Sequence, residues 1–341
     1  MAGGIGSRFW PMSTKETPKQ FIDILGTGKT MIQQTVGRFG DIVPIENVFI
    51  VTNKIYKDII QEQLPGISDS QVLLEPCMRN TAPCIAYAAY KISKRNPDAN
   101  IVVAPSDHLI TDESGFQEVI KKGLDFVGNN DALLTLGIQP HRPETGYGYI
   151  QADSAVEGGM NKVAAFKEKP SLDVAKSYLA EGNYFWNSGI FLWSAKSIIS
   201  AFENHLPKVA SLFSEGSSLY DSAKEQSYID EVFPTCENIS IDYGIMENAD
   251  NIYVLPSDFG WSDLGTWGSL WEKRSRDKQG NSAVGSDVHL FECANSIVTV
   301  PDNRPVVLQG LDGYIVTEAN GVFMVCKMEE EQRIKEFSQS I

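Results

Sequence analysis

The chain has 341 residues, of which 42% are hydrophobic, and a formal net charge of -15 at pH 7. That length supports two domains, or one large domain with an appendage, around a substantial core. The acidic balance argues against nucleic acid or an anionic membrane as partner, because both call for a basic face, but a few local cations and a metal would still admit an anionic small molecule.

Strand-like apolar runs occur at 47–52, 71–75, 100–104 and 132–138, with helical patterns between them at 55–64, 82–95 and 115–127. The uninterrupted run Ile101-Val102-Val103-Ala104, set among helices, predicts a parallel or mixed sheet covered on both faces. Further strands are expected at 163–167 and 185–193, followed by a helical region over 194–231. A break falls near Asp277-Lys278-Gln279-Gly280-Asn281. Beyond it, short apolar runs at 296–300, 306–308, 314–317 and 322–325 are separated by turn sequences such as Gly310-Leu311-Asp312-Gly313 and Asn320-Gly321. This spacing predicts a small all-β appendage, either a meander or a few turns of β-helix, ending in a helix over 329–337. The expected fold class is α/β: a Rossmann-like mixed sheet over residues 1–276 and a β-helix-like C-terminal domain over residues 281–341. No apolar run is long enough to span a bilayer, and no signal peptide is evident. Five cysteines without CxxC spacing argue against a disulfide framework or a structural zinc, and a reduced, cytoplasmic protein is expected.

The chain opens Gly3-Gly4-Ile5-Gly6-Ser7-Arg8-Phe9-Trp10-Pro11, followed by Pro18-Lys19. Glycines let a backbone approach a triphosphate with its amides pointing at the oxygens, and an arginine can fork onto phosphate. The segment fits this role or that of a glycine-rich turn with surface cations. It lacks the Gly-Lys-Ser/Thr of a Walker loop, and Arg8 and Pro11 stand where the helix of a dinucleotide fingerprint would begin. Only Met1 and Ala2 precede it, in the place of the strand that should lead into such a loop.

Asp107 follows the run 101–104, and the carboxyl end of a strand is where ligands bind in open α/β sheets. A carboxylate there suits Mg2+, a hard cation that takes oxygen ligands, and equally suits a turn or cap. Asp263, in a glycine-rich aromatic stretch, reads by itself as a turn residue. Arg79-Asn80-Thr81 lead into a helical pattern with Thr81 as the expected cap, leaving Arg79 and Asn80 to face a purine edge. Glu168-Lys169-Pro170 read by themselves as a solvated strand end. Asn187, in an aromatic and apolar stretch, needs partners, and a sugar hydroxyl is a natural one.

The opening segment resembles the signature of the sugar-1-phosphate nucleotidyltransferases, and with Phe9-Trp10 and Pro18-Lys19-Gln20-Phe21 it is most similar to the bacterial mannose-1-phosphate guanylyltransferases. The resemblance continues in order through Glu75-Pro76, Arg79-Asn80-Thr81-Ala82-Pro83, Pro105-Ser106-Asp107-His108 and Glu144-Thr145-Gly146-Tyr147-Gly148-Tyr149-Ile150. It then runs through Phe166-Lys167-Glu168-Lys169-Pro170, Trp186-Asn187-Ser188-Gly189-Ile190-Phe191, Ile241-Asp242-Tyr243 and Gly260-Trp261-Ser262-Asp263-Leu264-Gly265-Thr266-Trp267.

The resemblance implies that GTP and mannose 1-phosphate are the substrates and Mg2+ the cofactor, with Asp107 and Asp263 as metal ligands and Arg8 and Lys19 as catalytic cations. It implies a nucleotide site from Gly3, Gly4, Gly6, Ser7, Arg8, Lys19, Glu75, Arg79, Asn80, Thr81 and Asp107, and a sugar-phosphate site from Gly146, Tyr147, Glu168, Lys169, Asn187 and Asp242. A homodimer through the C-terminal appendage is a further expectation. A uridylyl- or thymidylyltransferase acting on glucose 1-phosphate, and a catalytically silent subunit of the same fold, remain open alternatives.

Overall fold

A strand buried on both faces of a sheet must send alternate side chains into two different cores, and the central strands here do so. The computed structural model describes residues 1–4, 6–303 and 305–340 and excludes the side chains of Ser7 and Glu157, so the expectation for Ser7 lies outside the described residues. The chain forms two units. The first comprises residues 1–3, 38–105 and 110–261, and the second residues 4–37, 106–109 and 262–341.

The first unit carries a parallel pair, β1 (Ile50–Asn53) with β2 (Val72–Glu75), and a six-stranded sheet. The strands of that sheet are β3 (Asn100–Val103), β4 (Leu133–Ile138), β5 (Gly148–Ala155), β6 (Asn161–Glu168), β7 (Tyr184–Ser194) and β8 (Ile252–Ser257), in spatial order β3-β7-β4-β8-β6-β5. Only β4 and β8 run parallel, so the sheet is mixed. On β4, Leu133 joins one core while Leu134, Leu136 and Ile138 join the other; on β7, Phe191 and Trp193 face the first core and Ile190 and Leu192 the second. Helices Thr81–Arg95 and Ala195–His205 cover the first face, and Glu113–Asn129 covers the second.

Met1 and Ala2 lie beside the parallel pair: Ala2 N donates to Val51 O at 2.8 Å, Thr52 Oγ1 donates to Ala2 O at 2.9 Å, and the Met1 amino group donates to Ala104 O at 2.9 Å. Strands β5 and β8 were not anticipated. Gln151, Asp153 and Ser154 break the apolar pattern of β5, and Pro256 interrupts that of β8. The helical region 194–231 resolves into Ala195–His205, Pro207–Glu215 and Glu225–Val232.

In the second unit, β9 (Ser282–Val284), β11 (Ile297–Thr299) and β13 (Tyr314–Ala319) stack in parallel, with β14 (Val322–Lys327) antiparallel at the edge. Strands β10 (Val288–Phe291) and β12 (Val306–Gln309) pair in parallel as a separate ladder. Successive strands that alternate between two parallel ladders make a β-helix-like coil rather than a meander. The terminal segment 329–337, expected as one helix, is a 3-10 stretch, Met328–Arg333, followed by the short helix Ile334–Phe337. Among the described residues no helix is long and apolar enough to cross a membrane.

A buried charge cluster ties the helices of the first unit together. Glu225 accepts from Lys91 Nζ through both carboxylate oxygens (2.6 and 2.7 Å), from the Tyr87 hydroxyl at 2.6 Å, and from the Asp221 amide at 2.6 Å. Lys91 is 3% exposed and its other counter-charge, Asp221 Oδ1, lies further off at 3.2 Å, so losing the Glu225 charge leaves a buried ammonium poorly compensated. Breaking one side of a buried pair costs about 3–5 kcal/mol, whereas replacing both partners with apolar groups costs far less. Glu225→Gln should therefore lower stability by about 3 kcal/mol, and Glu225→Leu combined with Lys91→Met should lose clearly less. Urea denaturation checks the pair, and a double variant as unstable as the single one would contradict it.

Candidate active site

The expected residues fall into three groups. In the second unit, Gly6, Arg8, Phe9, Lys19, Asp107, His108, Asp263, Leu264 and Gly265 line a pocket of about 310 Å³. An antiparallel bridge builds its floor: Leu109 N donates to Ser262 O at 2.8 Å and Ser262 N to Leu109 O at 3.0 Å, which sets Asp107 and Asp263 on adjoining backbones. Lys19 Nζ lies 3.0 Å from Asp107 Oδ2, and the Lys19 side chain is 5% exposed against 32% for Asp107, so the ammonium is enclosed while the carboxylate meets the pocket. Burial by itself would raise the Asp107 carboxyl, but the Lys19 and His108 charges and the Lys19 hydrogen bond outweigh it and hold the group below its ordinary value. Asp263 Oδ1 accepts from Gly265 N at 2.9 Å, and Arg8 Nη1 donates to Gly265 O at 3.4 Å from an exposed position.

Gly6 adopts φ +57°, and a Cβ there would come within 2.8 Å of Lys19 Cβ, so the loop closes onto Lys19 only because this residue is glycine. Gly4 is exposed, and its carbonyl accepts from Gln20 Nε2 at 2.9 Å. The donor set suits a hard divalent cation, since two carboxylates face one pocket and such ions take oxygen ligands. Among the described residues no group of three or more His, Cys, Asp or Glu is arranged to hold a metal, so a cation held by Asp107 and Asp263 would need ligands from outside the chain.

The second group lies in the first unit, at the end of β2. Glu75 is 6% exposed, its Oε1 has no hydrogen-bond partner, and burial pushes its carboxyl up to about 7 against the opposing effects of the Cys84 thiol and the chain's amino group. A Cβ on Gly3 would lie 3.7 Å from Glu75 Oε2. The helix cap is Asn80, not Thr81: Asn80 takes φ 65° and its side chain accepts from Thr81 N at 2.9 Å. A short amide side chain tolerates that left-handed backbone better than a β-branched threonine does. Thr81 Oγ1 instead accepts from Ile241 N at 2.9 Å and ties the helix start to the segment carrying Asp242. The Arg79 guanidinium donates to Pro234 O through Nε at 3.1 Å and Nη2 at 2.6 Å.

The third group, also in the first unit, converges on Asn187. Its Nδ2 donates to Asp242 Oδ1 at 2.7 Å, and its Oδ1 accepts from Thr135 Oγ1 at 3.2 Å and Gly189 N at 3.1 Å. The Glu168 carboxylate lies over Gly148, where a Cβ would come within 2.5 Å of Glu168 Oε2 and 3.5 Å of Asn187 Cβ. Lys169 Nζ lies 2.9 Å from Glu168 Oε1, and Lys169 N donates to Tyr147 O at 3.2 Å. Gly146 N donates to Glu144 Oε1 at 3.0 Å. Tyr147 packs edge-on against Trp186 and Trp261, with ring centroids 5.2 and 5.3 Å away. Sequence reasoning missed Thr135, and it quoted His108 and Gly265 within motifs but gave them no role. Thr135 was detectable as a hydroxyl in a strand whose every residue is buried.

These features define an α/β protein with a pocket lined by a glycine-rich loop, cations and carboxylates, and the chain belongs to the nucleotidyl transferase family, whose profile matches residues 1–280. It is 36% identical over 340 residues to a mannose-1-phosphate guanylyltransferase of Sinorhizobium fredii, covering 98% of this chain and 65% of that protein. It is 34% identical to a mannose-1-phosphate guanylyltransferase of Escherichia coli, covering 97% of this chain and 72% of the relative. The chain thus spans roughly two-thirds of the length of these curated relatives. A crystal structure from Thermus thermophilus, described as a mannose-1-phosphate geranyltransferase, superposes with a TM-score of 0.89 at 29% identity, covering 100% of this chain and 97% of the other.

Burial, with the Glu168 charge second, raises the Asp242 carboxyl to about 6. Folding therefore takes up a proton at Asp242 between its unfolded and folded values. Its contribution to stability is most favourable below the ordinary carboxyl range and declines as the pH rises through about 6. Asp242→Asn removes that dependence. The stability of the variant relative to the parent protein should rise between about pH 4 and about pH 7, read from urea midpoints; identical pH slopes would contradict the assignment.

Proposed function

We propose that the chain transfers GMP from GTP to mannose 1-phosphate, releasing pyrophosphate. The observation that carries this reading is the pocket that places Arg8, Asp107 and Asp263 around one space of about 310 Å³ beside a glycine-rich loop. The similarity to two guanylyltransferases along nearly the whole chain supports the choice of substrates.

A phosphate oxygen of the sugar phosphate attacks the α-phosphorus of GTP, a new P–O bond forms, and the bond to the bridging oxygen of the β-phosphate breaks in line with it. No protein nucleophile is required, because the attacking oxygen is already anionic. The chain's task is to orient the reactants and offset charge. Gly3, Gly4, Gly6 and Ser7 present the loop to the triphosphate, and Arg8 offsets charge on the leaving pyrophosphate. Asp107 and Asp263 would hold Mg2+, which supplies further charge neutralisation at the phosphates. Glu75, Arg79, Asn80 and Thr81 form the nucleotide side. Gly146, Tyr147, Glu168, Asn187 and Asp242 hold the sugar, and Lys169 its phosphate.

We take the catalytic portion as residues 1–276, acting in the cytoplasm. Residues 281–341 serve a homodimer, in keeping with Phe323 and Val325, which are 51% and 47% exposed on the edge strand β14.

Pyrophosphate release measured across a panel of nucleoside triphosphates and sugar 1-phosphates tests the reading. GTP with mannose 1-phosphate should give the highest kcat/KM. Faster release from UTP or dTTP with glucose 1-phosphate would overturn the substrate choice, and no release from any pair would favour a silent subunit.

A further inference from the structure

The segment that carries the glycine-rich loop has little structure of its own. Among the described residues between Gly4 and Thr30 there is no α-helix and no strand, only the 3-10 turns Ser7–Phe9 and Lys19–Phe21. Such a segment keeps one shape only where something else packs against it. Here the support comes from the far end of the chain, within the second unit, which joins residues 4–37 to 262–341. Phe9, 1% exposed, shares one core with Ile297, Ile315, Met324 and Ile334 of the C-terminal domain, and its ring lies 5.4 Å from that of Trp267. The short helix Ile334–Phe337 packs on the turn Ser7–Phe9 itself.

Three polar ties run beside this core. Asn320 Nδ2 donates to Pro11 O at 2.9 Å. Arg274 donates to Ile24 O and, at 2.7 Å, to Thr299 Oγ1. Glu331 Oε2 accepts from Gly268 N at 2.8 Å, at the start of the helix Trp267–Lys273. Asn320 and Gly321 form the two-residue turn between β13 and β14, with φ of 53° and 77°, and Asn-Gly suits such a turn by itself. That preference accounts for an asparagine at this place but not for the reach of its amide to Pro11.

Arg8 is exposed and lines the pocket, whereas its neighbour Phe9 is sealed in the core. Consecutive residues of a 3-10 turn point about 120° apart, so the anchoring of Phe9 sets the direction of Arg8. Phe9 also ties the loop's backbone: its N donates to Gly6 O at 3.3 Å, and its O accepts from Ser13 N at 3.0 Å.

We propose that the C-terminal domain frames the triphosphate site: Asn320 and Ile334 are positioning residues that hold residues 6–9 and thereby aim Arg8 into its pocket before nucleotide binds. The inference deepens the proposed function and rests on it for the identity of the nucleotide. It gives residues 281–341 a part in the reaction besides assembly.

Asn320→Gly keeps the left-handed turn, which glycine adopts freely, and removes the donor. Ile334→Ala opens the core beside Phe9. Hydrogen exchange of the ligand-free full chain, read by mass spectrometry, follows the amides of Phe9 and Ser13. In each variant peptides covering residues 6–21 should exchange about three- to tenfold faster than in the parent protein, the scale of one hydrogen bond, while those of β4 keep their rates. The KM for GTP should rise by about the same factor, with the KM for mannose 1-phosphate unchanged.

Unchanged exchange over residues 6–21 in Asn320→Gly would overturn the proposal. So would equal acceleration in β4, which would mean a loss of stability throughout the fold, or an equal rise in both KM values. Should Ile334→Ala fail to fold, Asn320→Gly, altered only at an exposed turn, still decides the matter. A parent protein that turns over no nucleotide would overturn the proposed function, whereas the exchange rates would still show whether the C-terminal domain holds the loop.

Discussion

The second unit's pocket is built around one enclosed cation, the ammonium of Lys19, which meets a carboxylate and two backbone carbonyls. Unit charges about 4 Å apart near a protein surface interact by on the order of 4 kcal/mol, enough to hold a side chain in place. Lys19 supplies the counter-charge at 3.0 Å from Asp107 while its remaining donors hold the carbonyls beside Asp263. The glycine at position 6 has a local reason once this is seen, because a Cβ there would come within 2.8 Å of Lys19 Cβ.

The sheet of the first unit orders a polar cluster of its own by a different device. Strand β7 pairs with β4 along its length, but the register shifts between Thr135 and Gly137, and Gly189 takes φ +69° at the same point. Such a bulge re-aims a side chain that would otherwise point into a core. Here it brings Asn187 to Asp242 and Thr135. Gly137 has no room for a side chain, since a Cβ would come within 2.5 Å of Val254 and 2.8 Å of Phe185. The irregularity is therefore held by tight packing on both sides and orders the polar cluster on an otherwise apolar sheet.

Much of this was legible in the sequence. Continuous apolar runs announce strands buried on two faces, and β4 is one, whereas β3 has its run at the sheet edge with only Ile101 fully buried. The tail's short strands and turns are equally visible, and the choice between meander and coil became clear only from the strand pairings. Asp107 was found because it ends a buried strand, and Asn187 because a polar group in an apolar run needs partners. Other features were hidden for physical reasons. Nothing local distinguishes Asn80 from Thr81 as the cap, since either oxygen can accept an amide, and the backbone angle that decides it is not written in residue type. The π-helical start at Asp242 and the enclosure of Lys19 depend on segments far away in the chain.

The central claim is that the reaction is a single displacement at phosphorus with no covalent intermediate on the protein. The most direct test is its stereochemistry. GTP carrying one sulfur of defined configuration on the α-phosphate is turned over with mannose 1-phosphate, and the configuration of the sugar nucleotide is read by phosphorus NMR. One in-line attack predicts inversion at that phosphorus. Retention would require two displacements through a nucleotidylated side chain, and would contradict the account.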